Sequence, residues 1–272
     1  MRAEVEFFRK FEKPVPLDSL KLRVTGEDFS TSLSAEDKRA IEDNWGQMLL
    51  KHTTIFSKPQ GLATFYGSGD TLSYMTTDYA TYAAVSRTHE KRTLSNGVYE
   101  NMRVAAIGAA LRFEDGSIFV HRRSYEATHV AGVIDSSCAG VCFVRDGSLS
   151  PSQDLAKKCE KELKLEAREY AIEGVSAVHS SYAPDFSGMI DVVLRSNIGR
   201  DEFLGRVEGS FPESWIIEEK EMPDFVFHHF AEKGDMVGDG ASTLLSALDH
   251  RVFLESVQKL QDAGKEIVFI GN

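Results

Sequence analysis

The first hundred residues alternate between strand-like and helix-like patterns. Residues 20–24 alternate apolar and polar side chains, as a half-buried strand does. Ser34 is a favourable N-cap, and Ile41 and Trp45 lie four residues apart on one face, so residues 34–45 predict a helix. The sequence predicts three further elements here: a turn and a strand over 55–65, a strand or a short helix over 74–85, and a turn at 95–97.

The pattern becomes more regular after residue 103. Residues 104–113 predict a strand, 114–116 a hairpin turn and 117–121 the returning strand. Leu155, Cys159 and Leu163 repeat every four residues, which predicts a helix over 151–163 with Ser150 or Ser152 as its cap. The remaining patterns predict short strands or extended segments at 130–134 and 140–144, strands at 175–179, 189–195 and 266–270, and helices at 202–207 and 241–263.

This order of elements predicts the fold class and a domain boundary. Strands and helices do not alternate regularly, so we expect an α+β protein with a mixed sheet. The change of pattern predicts an N-terminal α+β region over residues 1–103, followed by a domain over residues 104–272.

Composition and charge narrow the classes of partner. The chain has 272 residues, with 31 Lys and Arg against 42 Asp and Glu, a net charge of −11. This acidic balance argues against nucleic acid and membrane surfaces as partners. The longest apolar stretch, residues 104–111, is too short for a bilayer, which takes about 20 residues. The N-terminus has acidic residues where a signal peptide would carry an uninterrupted apolar core, so we expect a soluble, cytoplasmic protein.

The three cysteines predict packing in the core. An odd number of cysteines in a chain of this length is not a disulfide framework. Cys138 and Cys142 lie in an apolar run without a neighbouring histidine to complete a zinc site. We therefore expect buried free thiols, as in a reducing cytoplasm.

Residues 104–165 resemble the Nudix hydrolase superfamily. The features that carry the resemblance are the strand, hairpin and strand over residues 107–120, Arg122-Arg123-Ser124, Ile134-Asp135, Gly140 and the helix that contains residues 162–165. Upstream, a helix with Ile41 and Trp45 and a turn with Phe56 and Pro59 are similar to the branch of UDP-glucose-type nucleoside-diphosphate-sugar diphosphatases. The resemblance covers about residues 20 to 195 and implies a Nudix-like α/β/α sandwich with a mixed sheet in the second domain.

The resemblance also implies a metal-binding sequence motif, the Nudix box. The residues of this chain depart from that motif at several positions. The family pattern is G-x5-E-x7-R-E-U-x-E-E-x-G-U, where U is aliphatic, and its glutamates converge on Mg²⁺ that bridges a diphosphate. Aligned with it, Lys157 and Lys158 take the Arg-Glu positions, Lys161 and Glu162 take the glutamate pair, and Lys164 takes the late glycine. Glu162 is therefore the one expected metal ligand that remains in the box.

The altered box helix is slightly basic within an acidic protein. Over residues 154–168 it carries Lys157, Lys158, Lys161, Lys164 and Arg168 against Asp154, Glu160, Glu162 and Glu166. A protonated lysine repels a divalent cation and cannot ligate it. The spacing predicts ion pairs between Lys158 and Glu162 and between Glu160 and Lys164.

Three functional hypotheses follow from the resemblance. The first is a catalytically weak or silent binder of a nucleotide or nucleotide-sugar, whose ligand-binding residues would be Arg122, Arg123, Asp135, Gly140, Lys157, Lys158 and Lys161. The second is an active nucleoside-diphosphate-sugar diphosphatase with displaced ligands, in which Glu162 and Glu160 are catalytic and Mg²⁺ or Mn²⁺ is bound. The third is a protein-interaction scaffold with a vestigial pocket. A homodimer is an open expectation for each.

Overall fold

The computed structural model describes residues 5–10, 17, 21–51, 59–64, 71–88, 93–101, 104–127, 131–146, 148–180 and 187–269. The strands are β1 Val5–Lys10, β2 Lys21–Asp28, β3 Pro59–Thr64, β4 Thr71–Asp78, β5 Val104–Arg112, β6 Ile118–Arg122, β7 Ile134–Asp135, β8 Cys138–Val141, β9 Val144–Arg145, β10 Ser148–Leu149, β11 Tyr170–Ser180, β12 Ser187–Ser196, β13 Ser214–Ile217 and β14 Ile267–Phe269. The helices are α1 Ala35–Lys51, α2 Tyr79–Thr88, α3 Asn96–Asn101, α4 Pro151–Lys158, α5 Arg200–Val207, α6 Met222–Val226, α7 Gly238–Ser246 and α8 His250–Asp262.

One mixed sheet organises these elements. Its main path runs β14-β1-β11-β12-β5-β3-β4-β2, and the strands β6, β7, β8 and β13 extend it beside β5. The strand β12 runs parallel to β5, whereas β11 and β12 are antiparallel. The predicted α+β class with a mixed sheet is therefore confirmed.

Helices cover both faces of this sheet at β5. Ile107 and Leu111 belong to a buried cluster that also contains Leu163, from the segment after α4. Ala106 and Ala110 belong to a second buried cluster, built with α6, α7 and α8. Successive side chains of a strand point to opposite faces, so the apolar run in β5 is buried from both sides. The result is a three-layered α/β/α arrangement, as the resemblance stated above implies.

The N-terminal elements add a third cluster beside the sandwich. Phe29, Ile41, Val85 and Tyr99 pack there with Val104, the first residue of β5. The sheet continues into this region through the pairing of β3 with β5, and β1 lies between β11 and β14. The boundary between residues 103 and 104 stays a prediction.

Most predicted elements are present, and three differ in detail. Residues 74–85 contain both alternatives, the end of β4 and most of α2. The predicted turn at residues 95–97 is wrong, because α3 begins at Asn96. The single helix predicted over 241–263 is two helices, and the Asp249 carboxylate caps the second by accepting the Arg251 N–H at 3.0 Å. Of residues 55–65, β3 covers 59–64 and the others lie outside the described residues, as does residue 130.

The predicted burial of the three cysteines is confirmed. Cys138, Cys142 and Cys159 are buried free thiols. Within the described ranges, each helix is too short or too polar to cross a bilayer.

Candidate functional site

The box helix forms as the sequence predicts and then changes its winding. The helix α4 begins with Pro151 after Ser150, whose side chain makes no capping hydrogen bond, and it continues as a π-helical turn over Cys159–Leu163. Leu155, Cys159 and Leu163 are all buried in the core beneath the sheet. The predicted four-residue spacing therefore anchors the helix and leaves its other face available to charged side chains.

Lys164 ends this helix in a left-handed backbone conformation. Its φ is +56° and its ψ is +33°, a region in which a side chain is strained and glycine is favoured. This is the position that the box pattern gives to glycine. The backbone at Lys164 therefore adopts a left-handed conformation that would favour glycine, although this chain has lysine there.

Lys158 and Glu162 form an ion pair over Gly140. The Lys158 Nζ lies 3.0 Å from Glu162 Oε1, which confirms the predicted i, i+4 pair, and both side chains are about a quarter exposed. A Cβ placed on Gly140 would lie only 2.5 Å from Lys158 Nζ. The absence of a side chain at Gly140 leaves room for the end of the Lys158 side chain beside β8, and the three predicted residues meet there.

This arrangement does not fit a divalent cation at Glu162. The ammonium group of Lys158 already provides the positive charge that the carboxylate binds, and a protonated lysine donates hydrogen bonds without accepting them. No cluster of three or more His, Cys, Asp or Glu side chains suited to a metal ion occurs in the described part of the chain. In the folded protein the cation that binds Glu162 is the ammonium group of Lys158.

The other charged residues of the box helix lie apart from this pair. Lys157, Glu160 and Lys161 are exposed. Glu160 is two residues from Lys158, which places it on the opposite side of the helix. The predicted pair of Glu160 with Lys164 is not formed among the described residues; Lys164 Nζ donates to the Lys161 carbonyl at 2.7 Å instead. The roles predicted for Lys157, Lys161 and Glu160 stay predictions.

Arg123 and Asp135 form a second ion pair near the first. Arg123 Nη1 lies 2.9 Å from Asp135 Oδ2, and Asp135 is buried. The other oxygen, Asp135 Oδ1, accepts the backbone N–H of Ser136 at 2.7 Å. The Asp135 carboxylate is thereby fixed on both sides and holds the guanidinium of Arg123 in place.

Arg122 points into a different environment. Its side chain donates to Glu213 at 3.0 Å, to Asp235 at 3.2 Å and to the Gly132 carbonyl at 2.7 Å. The same guanidinium lies over the Trp215 ring, 5.8 Å from its centroid. These contacts tie together three segments of the fold, and they lend no support to the ligand-binding role that the sequence predicts for Arg122.

His121 is a site residue that the sequence reasoning missed. It is 6% exposed, stacks on Phe211 with ring centroids 4.1 Å apart, and its Nδ1 has no hydrogen-bond partner among the described residues. Burial lowers the pKa of His121 below its usual value, although the Asp135 and Glu162 carboxylates are close enough to oppose this shift. His121 therefore lies within electrostatic range of one carboxylate from each ion pair, and burial favours its uncharged form.

The alternation of side chains along a strand could have identified His121 as a site residue from the sequence. Side chains two residues apart in a strand share a face, so His121 lies on the side of Arg123, and Arg122 lies on the other. The hydrogen bond from the Arg123 N–H to the Val133 carbonyl, at 2.8 Å, extends the strand-like backbone past the end of β6. The candidate site thus consists of His121, Arg123, Asp135, Gly140, Lys158 and Glu162.

Comparisons with known proteins return only distant structural similarity. No protein-family model matches the chain, and no curated protein sequence matches it. Among solved structures, DR0079 from Deinococcus radiodurans is similar at 18% identity with a TM-score of 0.37, over 52% of this chain and 81% of that one. The MutT protein from Methanosarcina mazei Go1 is similar at 15% identity with a TM-score of 0.31, over 59% of this chain and 94% of that one.

Proposed function

We propose that this chain is a Nudix-fold protein with a degraded box that binds a nucleotide or nucleotide-sugar without a divalent cation. The observation that carries the proposal is the ion pair of Lys158 with Glu162 over Gly140. In a metal-dependent site a cation between carboxylates would meet the diphosphate. Here a lysine ammonium lies on the remaining carboxylate and supplies that positive charge.

The neighbouring groups suit the same ligand. A guanidinium binds a phosphate through two parallel hydrogen bonds, and Asp135 holds the guanidinium of Arg123. His121 offers a buried nitrogen without a partner among the described residues, and satisfying such an atom is worth about 1–3 kcal/mol. Lys158 and Arg123 are each partly exposed, so each cation is accessible to a phosphate.

Hydrolysis is not part of this proposal. Attack of water on a diphosphate needs a strong positive field and an activated water, which bound metal ions supply together. In this site the ammonium group of Lys158 already binds the Glu162 carboxylate, so that carboxylate is poorly placed to hold a metal. We therefore assign Glu162 to positioning Lys158.

The proposal is tested by calorimetric titration of UDP-glucose, UDP and inorganic diphosphate. We expect binding in a chelating buffer to equal binding with Mg²⁺ or Mn²⁺. Replacing Lys158 by Ala removes the central cation and should weaken binding at least about tenfold, since one charge-assisted contact is worth about 1.5–3 kcal/mol. Lys220→Ala is the matched control, because Lys220 forms an exposed pair with Glu218 and has no contact with the site residues.

Two results would contradict the proposal. Robust Mg²⁺-dependent release of a nucleoside monophosphate would show the active diphosphatase, and loss of that activity in Glu162→Gln would identify its ligand. No binding of any of the three ligands would favour the interaction scaffold. A cytoplasmic location and a homodimer remain predictions under either outcome.

A further inference from the structure

A buried carboxyl group lies behind the candidate site. Asp191 in β12 is 1% exposed, and its Oδ1 lies 2.6 Å from Thr243 Oγ1 in α7 while its Oδ2 lies 3.1 Å from Ser242 Oγ. Each hydroxyl also lies 2.9 Å from the Asp239 carbonyl oxygen. No ion pair with a basic side chain reaches Asp191 within the described residues.

The number of protons in this cluster favours a protonated carboxyl group. Four oxygen–oxygen contacts join Asp191 and the Asp239 carbonyl to the two hydroxyls. Each hydroxyl donates one proton, so an ionised Asp191 leaves two of the four contacts without a hydrogen. A proton on Asp191 fills a third contact, because the carboxyl then donates to one hydroxyl while both hydroxyls donate to Asp239.

Among the residues that the structure describes, uncharged and acidic groups lie around Asp191. The paired strands β5 and β11 place the uncharged Gly108 and Ser176 beside it. The carboxylate of Asp239 is bound to the Gly240 N–H within α7, and Asp135 contributes repulsion from β7. Burial raises the pKa of Asp191 to about 7, and the hydroxyls of Thr243 and Ser242 limit the rise.

The first turn of α7 connects Asp191 to the candidate site. A Cβ on Gly240 would lie 3.1 Å from Asp135 Cα and 3.2 Å from Asp135 Oδ1, so the helix backbone lies directly against Asp135. Two residues further on, Ser242 contacts Asp191. The same turn therefore touches both carboxyl groups, and Asp135 in turn holds Arg123.

We propose that Asp191 is a positioning residue that couples one proton to ligand binding at the candidate site. This inference rests on the proposed function. With its proton, Asp191 adds no negative charge behind Asp135 and its ion pair with Arg123. Without it, a buried negative charge lies behind the site and repels an anionic ligand.

The test is the pH dependence of UDP-glucose binding between about pH 6 and 8. The diphosphate of this ligand is a diester and keeps its charge in this range, so a change in affinity reports on the protein. We expect the affinity of the wild-type protein to fall about fivefold across the range, a typical size for coupling between sites. Asp191→Asn should remove this dependence, and Thr243→Val should move its midpoint to higher pH, because a donor to the ionised carboxyl is lost.

Proton uptake gives a second measurement that a purely structural role would not change. Calorimetry near pH 7, in buffers of different ionisation enthalpy, should show net proton uptake on UDP-glucose binding by the wild-type protein and none by Asp191→Asn. An unchanged pH dependence in both variants would overturn this inference and leave the proposed function intact. Absence of binding by the wild-type protein at every pH would overturn both.

Discussion

Arg122 and Arg123 are adjacent in the sequence and have different roles in the structure. Arg123 shares its side of the backbone with His121 and is held by Asp135, whereas Arg122 joins Gly132, Glu213 and Asp235. The sequence identified the pair by its resemblance to a family motif. The period of two residues along the strand decides which of the two faces the candidate site.

The strained backbone at Lys164 gives a prediction for stability. Lys164→Gly removes a left-handed strain of about 1–2 kcal/mol and adds about 0.5–1 kcal/mol of unfolded-state entropy. We expect the free energy of unfolding to rise by about 0.5–1 kcal/mol in urea denaturation. Lys157→Gly, inside α4, is the control and should lower it by about 1 kcal/mol. Destabilisation by Lys164→Gly would contradict the argument.

The buried carboxyl of Asp191 gives a prediction for stability against pH. Its pKa rises from 3.8 to about 7 on folding, so between these values the folded protein keeps a proton that the unfolded chain releases. Stability should therefore fall as pH rises through this window, by about 4 kcal/mol for this group, and show no further change from it above. In urea denaturation at several pH values, Asp191→Asn should lack this decline. The exposed Asp201→Asn should keep it.

At the scale of elements, side chains decide where the helices end. The apolar pattern over residues 241–263 continues without a glycine or proline until Gly264, and it predicts one helix. Asp249 accepts the Arg251 N–H, and its own N–H donates to Glu219 at 3.1 Å. These bonds satisfy backbone groups that an uninterrupted helix would pair internally, so α7 and α8 separate there.

The cap at Asp249 gives a prediction for α8. Asp249→Ala leaves the first N–H groups of α8 without their side-chain acceptor and should cost about 1 kcal/mol of unfolding free energy. Asp262→Ala is the control, because an acid in the last turn of the same helix opposes the helix dipole. Thermal denaturation should show a lower melting temperature for the first variant alone. Equal melting temperatures would show that packing, not the cap, fixes the start of α8.

At the scale of the whole molecule, the sheet joins distant parts of the chain. Val5 in β1 is buried in the cluster of α6, α7 and α8, and β1 pairs with β11 on one side and β14 on the other. The pairing of Leu62 with Val104 links β3 to β5. The second half of the sequence thus completes its sheet with a strand from the beginning of the first half.

This topology gives a prediction for the fragment of residues 104–272. Without β1, the backbone edges of β11 and β14 lose their partner and part of one core cluster is exposed. We expect the fragment to show a broad, low-temperature transition or to aggregate, while the full chain unfolds cooperatively. Adding a peptide of residues 1–20 in trans should restore part of the order. A fragment as stable as the full chain would support an independent domain from residue 104 onward.

Local patterns in the sequence were enough to predict the fold class, most of the strands and helices and the ion pair between Lys158 and Glu162. Those features depend on local periodicity and spacing, which a sequence displays directly. Three relations became visible in the folded protein: Gly140 leaves room for the Lys158 side chain, His121 lies within electrostatic range of Asp135 and Glu162, and the buried Asp191 lies within electrostatic range of Asp135. These relations join residues far apart in the chain, and their energies depend on burial and distance, which no local pattern encodes.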